Sequence, residues 1–143
     1  MVLENTELER LYKIGQYKPQ TVEEAAEICS ELLMMFHEND IRVIRVGLHS
    51  GGNVEEGFVA GAYHPAFLEI CESRIYLKKV LAEIKRQGIP KGEITVTVGT
   101  SFVSMMSGQK KSNSQKLREM GYILKIKQNE NMKKYEIEVG GKI

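Results

Sequence analysis

Between Thr21 and Leu48 the hydrophobic period switches from about 3.6 to about 2, and this limits the fold more than any other feature of the chain. Ala25, Ile28, Cys29, Leu32, Leu33 and Phe36 recur at three- and four-residue steps, which predicts a helix with one buried stripe. Thr21 followed by Glu24 is a capping box that starts it. Glu23, Glu27 and Glu31 fall on the opposite face, and the pattern stops near Asn39. Ile41 to Leu48 (Ile-Arg-Val-Ile-Arg-Val-Gly-Leu) then reads as a strand, β-branched and free of proline. Arg42 and Arg45 are three apart and so point to opposite faces of that strand. At least one of them should lie beside buried groups and need a carboxylate or phosphate partner. A helix followed by such a strand is one αβ unit of a mostly parallel sheet.

A glycine-rich stretch follows, with Gly51, Gly52, Gly57 and Gly61 before Pro65. A long loop at the carboxyl end of a strand is where α/β folds place their sites, although it can equally be a plain surface loop. His49 follows the strand directly and His64 precedes Pro65. From Ala66 the pattern is helical again, through Glu72-Ser73-Arg74 to Leu77, Val80, Leu81 and Ile84, and Gly88 and Pro90 end it. Upstream, residues 3–20 read as an acidic segment of one or two helical turns, then a connection at Gly15 to Pro19.

The last third has a different grammar. Glu93 to Val98 alternates as a strand, Thr100 to Met106 is a short helix, and Gly108-Gln109-Lys110-Lys111 is a turn. Asn113 to Met120 is a second helix closed by Gly121. Tyr122 to Lys127 and Lys133 to Val139 read as two strands about a hairpin at Asn129 to Asn131. The expected class is α+β: an αβ unit with a long glycine-rich loop over residues 1–88, then a β-α-α-β-β lobe over residues 89–143.

Composition removes several classes. The 143 residues are 42% apolar and 27% charged, a balance that is neither disordered nor fibrous. No apolar run is long enough to span a membrane. Met1 is followed by Glu4, Glu7 and Glu9, which argues against a secretory signal and for a cytoplasmic protein. Cys29 and Cys71 cannot form a disulfide framework, and alone cannot hold zinc or an iron–sulfur cluster. Both read as small core residues. The net charge of +1 hides an asymmetry: residues 1–100 carry 11 Lys/Arg against 15 Asp/Glu, and residues 101–143 carry 9 against 4. A basic tail on an acidic body is a prior for an anionic partner there, with a solvated lysine face as the plain alternative.

Helix, Gly108, basic turn, helix and two strands together resemble a KH-type RNA-binding motif, in which a short loop between helices clamps the sugar-phosphate backbone. The resemblance implies RNA contact through Gly108, Lys110, Lys111, Lys116 and Arg118. The second glycine of that motif is replaced here by Lys111. A rival reading is a small metal-dependent enzyme using His49, His64 and Glu72. Nothing forms a Ser/His/Asp nucleophile arrangement, a phosphate-binding P-loop or a dinucleotide fingerprint, so no catalytic residue and no metal ligand is assigned.

Two further stretches add a family resemblance. One runs Leu11-Tyr12-Lys13-Ile14-Gly15-Gln16-Tyr17-Lys18-Pro19-Gln20-Thr21 and on through Glu23-Glu24-Ala25 and Ile41 to Leu48. The other is Val59-Ala60-Gly61-Ala62-Tyr63-His64-Pro65-Ala66-Phe67, followed by Glu72-Ser73-Arg74. Together they resemble the C-terminal part of bacterial radical SAM proteins of the Elongator catalytic-subunit type, often labelled oxygen-independent coproporphyrinogen III oxidase. The resemblance implies a parent enzyme with a partial TIM barrel, a [4Fe–4S] cluster on three cysteines and S-adenosylmethionine as cosubstrate. The Elongator relatives modify the wobble uridine of tRNA. Neither cofactor is expected on this chain, which lacks the cysteine triplet. Ile41 to Leu48 would be a late barrel-type strand, with Arg45, His49 and His64 on the substrate side. The expected function is a non-catalytic accessory domain that positions a tRNA or other substrate for the missing N-terminal barrel. A protein-interaction module capping that barrel is the alternative.

Overall fold

The computed structural model describes residues 1–47 and 53–141. The fold is α+β and divides into two compact units, residues 1–68 and 69–143. The division therefore assigns most of the long helix after Pro65 to the second unit.

The first unit contains β1 (Val2–Leu3), α1 (Glu7–Lys13), α2 (Val22–Glu38), α3 (Asn53–Glu56) and β2 (Phe58–Ala60). β1 and β2 pair antiparallel, with Val2 opposite Ala60 and fully buried. Gly61 sits at φ 117, and a Cβ there would come 2.8 Å from the Met1 Cα, so only glycine fits. α2 begins as its sequence requires. The Thr21 hydroxyl accepts from the Glu24 N–H at 3.1 Å, and the Glu24 carboxylate accepts from the Thr21 N–H at 2.9 Å. Asn39 caps its C-terminus.

Three expectations fail in this unit. The buried face of α2 is Ala25, Ala26, Ser30 and Leu33, while Ile28, Leu32 and Met35 are 48, 42 and 49% exposed. The apolar stripe and the buried face share only Ala25 and Leu33, because the buried face is turned around the helix axis from the stripe. Residues 41–47 form no strand, and both Arg42 and Arg45 are exposed, with Ile44 at 91%. A strand needs a ladder partner, and among the described residues none is offered to this segment. Finally, the described part of the glycine-rich stretch is not one loop, because it contains α3 and β2.

The second unit opens with α4 (Phe67–Gln87), whose first two residues precede the boundary. It continues with β3 (Gly92–Val98), a 3-10 turn at Thr100–Phe102, α5 (Val103–Ser107), a second 3-10 turn at Gln109–Lys111, α6 (Ser112–Glu119), β4 (Tyr122–Gln128) and β5 (Glu138–Gly141). The sheet order is β4-β3-β5. β3 and β4 are parallel, Val96 opposite Ile126, as a helical crossover between strands permits. Ile94, Val96 and Val98 are fully buried and face the helices, whereas Glu93, Thr95 and Thr97 lie on the other face.

The expected hairpin between the last two strands does not form. β5 instead pairs antiparallel with the far side of β3, Val139 opposite Val96. The cause is a latch between residues 133–137 and α4. Tyr135 takes a left-handed φ of 64, its N–H donates to the Tyr76 hydroxyl at 2.9 Å, and its own hydroxyl donates to Glu72 Oε1 at 3.3 Å. The Lys134 ammonium pairs with the same Glu72 carboxylate and lies 5.0 Å above the Tyr135 ring. The latch holds this segment against α4, and β5 then joins the sheet on the other edge of β3.

Candidate nucleic-acid interface

The turn between α5 and α6 is built around Gly108, which is buried at φ 81. A Cβ on it would meet Ser112 Oγ at 2.5 Å and the Asn113 backbone nitrogen at 2.8 Å, so the backbone can close onto α6 only with glycine. Lys110 and Lys111 follow at φ 51 and 62. Two consecutive non-glycine residues in the left-handed region are strained. Lys111 therefore holds the backbone conformation that glycine would take most easily. The side chain of Asn113, 3% exposed, ties the turn to α4: its Nδ2 donates to the Ser73 carbonyl at 2.8 Å and to the Met106 carbonyl at 3.1 Å.

The electrostatics of this turn run against helix preference. α6 has no side-chain cap and no acidic residue in its first turn, and Lys111 is its N-cap residue. Cations at the positive end of a helix dipole are unfavourable, and an anion there offsets them. Lys116 and Arg118 lie in the last turn, where a cation suits the dipole. They are two residues apart, roughly 200° around the helix axis, and so project in different directions.

The tail's positive charge is not one patch. Lys125 lies on the helix-free face of the sheet and pairs with Glu93 at 2.8 Å, and Lys134 is paired with Glu72. Lys110 and Lys111 stand just before α6, and Lys116 lies in its last turn. Between the start of α6 and α4 lies a cleft lined by Ser73, Arg74, Gln109, Ser112, Asn113 and Lys116. Charge counting finds the lysines but not Ser73 or Asn113. The only sequence pointer to them is position: Ser73 within the Glu72-Ser73-Arg74 string, and Asn113 just past the basic turn.

The remaining candidates are dispersed. Arg45 is exposed on the irregular 41–47 segment, and His49 lies outside the described residues. The His64 Nδ1 accepts from the Ala66 N–H at 3.0 Å, which fixes the turn before α4. Glu72, 3% exposed, is engaged by Lys134 and Tyr135. Burial, then the charge of Glu72, raises the Tyr135 phenol far above its ordinary range. Burial also raises Tyr76, opposed by the Tyr135 N–H and aided by Glu72. Among the described residues no group of three or more His, Cys, Asp or Glu converges on a point. Among the same residues no helix is long and apolar enough to cross a membrane.

The family model described as the radical SAM C-terminal domain matches residues 1–78, more than half of the chain. The chain belongs to that family and is an accessory domain of a radical SAM protein. No curated protein and no solved structure matches it. The [4Fe–4S] cluster that the sequence resemblance implies for the parent enzyme does not fit the residues present on this chain. Cys71 is fully buried within α4, Cys29 is half-buried on α2, and two thiols cannot supply three ligands.

Proposed function

We propose that this chain is the C-terminal accessory region of an Elongator-type radical SAM enzyme, and that its second unit holds RNA, in the first instance tRNA, for a barrel that performs the chemistry. The observation that carries the reading is the turn at Gly108 to Lys111, a KH-like element. Two strained lysines stand at the positive end of α6 with no acidic residue in its first turn. A phosphodiester backbone would complement both the side-chain charge and the helix dipole. Lys116 would extend the contact along the strand, and Arg118, projecting from another side of α6, would make a separate phosphate contact. The first unit supports a complementary role. Ile28, Leu32, Met35, Ile41 and Ile44 are exposed apolar side chains of the kind a protein partner covers, and the β-branched 41–47 segment has the composition of a strand. We assign that surface to the parent barrel, with Arg45 and His64 on the substrate side.

The test is tRNA binding by the full chain as a function of salt. Affinity should fall steeply as salt rises. Replacing Lys110 and Lys111 together by alanine should weaken low-salt binding and reduce the log–log slope by about 1.4, roughly 0.7 per single-strand phosphate contact. Absence of binding at low salt, or a double variant that binds like the wild type, would refute the RNA role.

A further inference from the structure

The cleft between α4 and the start of α6 has a volume of about 170 Å³, well above the roughly 10–15 Å³ that a single water needs. Ser73, on its α4 side, is 3% exposed. Among the described residues, its Oγ is the one buried side-chain polar atom without a hydrogen-bond partner. Native structures rarely leave such a group unsatisfied, and a bound ligand is one of the few explanations. Ile70 and Leu77 supply its apolar lining, and the other polar side chains that line it are Arg74, Gln109, Ser112, Asn113 and Lys116. Among the described residues no carboxylate lines the cleft. Its two walls are fixed to each other by the Asn113 side chain, which spans from α6 to the Ser73 carbonyl. The positive end of α6 adds a further favourable field for an anion.

We infer that this cleft is an oxyanion site that takes a phosphate group, with the Ser73 hydroxyl donating into it and Lys116 balancing its charge. A phosphate offers several strong acceptor oxygens to the Ser73 hydroxyl and the Lys116 ammonium. Lys110 and Lys111 do not line the cleft. The site shares Lys116 with the RNA reading but not the turn lysines, so the Lys110 and Lys111 double variant separates the two.

Amide-detected NMR of the full chain, titrated with inorganic phosphate, tests the inference. Saturable shifts at Ser73, Arg74, Ser112 and Lys116 are expected, with affinity of about millimolar order. Ser73→Ala should weaken phosphate roughly three- to tenfold, the effect of one hydrogen bond. It should leave urea stability unchanged or higher, because the hydroxyl has no internal partner to lose. Lys110→Ala with Lys111→Ala should leave phosphate affinity within about twofold while lowering the slope of the RNA salt dependence by about 1.4. Competition distinguishes the sources. A 5′-phosphorylated oligonucleotide that displaces phosphate better than its unphosphorylated form assigns a strand terminus, and equal displacement assigns an internal phosphodiester. No displacement by either assigns a free phosphate ligand. Shifts that never saturate, or that scatter over surface lysines, would overturn the site, as would a Ser73→Ala chain that binds phosphate like the wild type.

Discussion

Tyr12, Ile14, Ile28, Leu32, Met35, Ile41, Ile44, Phe58 and Leu68 are large apolar side chains left exposed in the first unit, whereas among the described residues the second unit leaves Met120 and Ile123. Burial is the mirror image. The first unit buries mainly Val2, Ala25, Ala26, Leu33 and Phe67, and the second buries Tyr76, Val80, Ile94, Val96, Val98, Met106, Leu117 and Tyr135. The second unit thus closes a core of its own around a three-stranded sheet. The first, which the family model covers in full, carries apolar surface beyond what its own elements cover, as a part adapted to a larger protein does.

The contrast can be broken most directly by paired core substitutions. Ile94→Ala, at the fully buried centre of β3, should cost about 2–5 kcal/mol in urea denaturation. Leu32→Ala, on the exposed face of α2, should stay within about 0.5 kcal/mol. A comparable loss from Leu32→Ala would mean that the outer face of α2 is packed in the isolated chain.

A smaller effect sharpens the account of the second unit. Tyr135→Phe removes the hydroxyl bond to Glu72 and should cost about 0.5–1.5 kcal/mol at neutral pH. The sign at high pH follows from burial. Tyr135 and Tyr76 are both raised above the unfolded phenol value of about 10. The folded chain therefore holds protons that the unfolded chain releases above that pH, and stability present below it is lost as pH rises. The wild type should lose urea stability steeply above about pH 10, and Tyr135→Phe should flatten that decline. Equal slopes for the two proteins would place the alkaline transition elsewhere.

The smallest expected change concerns the strained turn. Lys111→Gly should raise stability by roughly 0.5–1 kcal/mol, the left-handed penalty less the extra backbone entropy of glycine. It should at the same time weaken tRNA binding through the lost charge. A destabilised Lys111→Gly would mean that the lysine side chain, and not only its backbone, supports the turn.

Legibility divided along physical lines. α2 with its capping box, α4 with its terminal glycine, β3 and β4 were all readable, because caps and periodicity are local. The Gly108 turn was readable too, since Gly and Lys stand next to each other in sequence. Ser73 and Asn113 were not, because a cleft made by residues 40 positions apart leaves no periodic trace. The strand expected over 41–48 and the hairpin of β4 with β5 misled for one shared reason. Residue type says that a segment would accept a ladder partner, but not which segment supplies it.

The sequence by itself therefore determined where helices start and stop, which strands alternate, the charge of the tail and the family of residues 1–78. Those properties depend on neighbours within a few residues or on the order of residue types. Tertiary structure alone decided that β5 joins β3, that Glu72 is held by Lys134 and Tyr135, and that Ser73 is left with an unpartnered hydroxyl beside two cations. Burial and hydrogen-bond satisfaction depend on what the rest of the chain brings close, and that information exists only once the chain has folded.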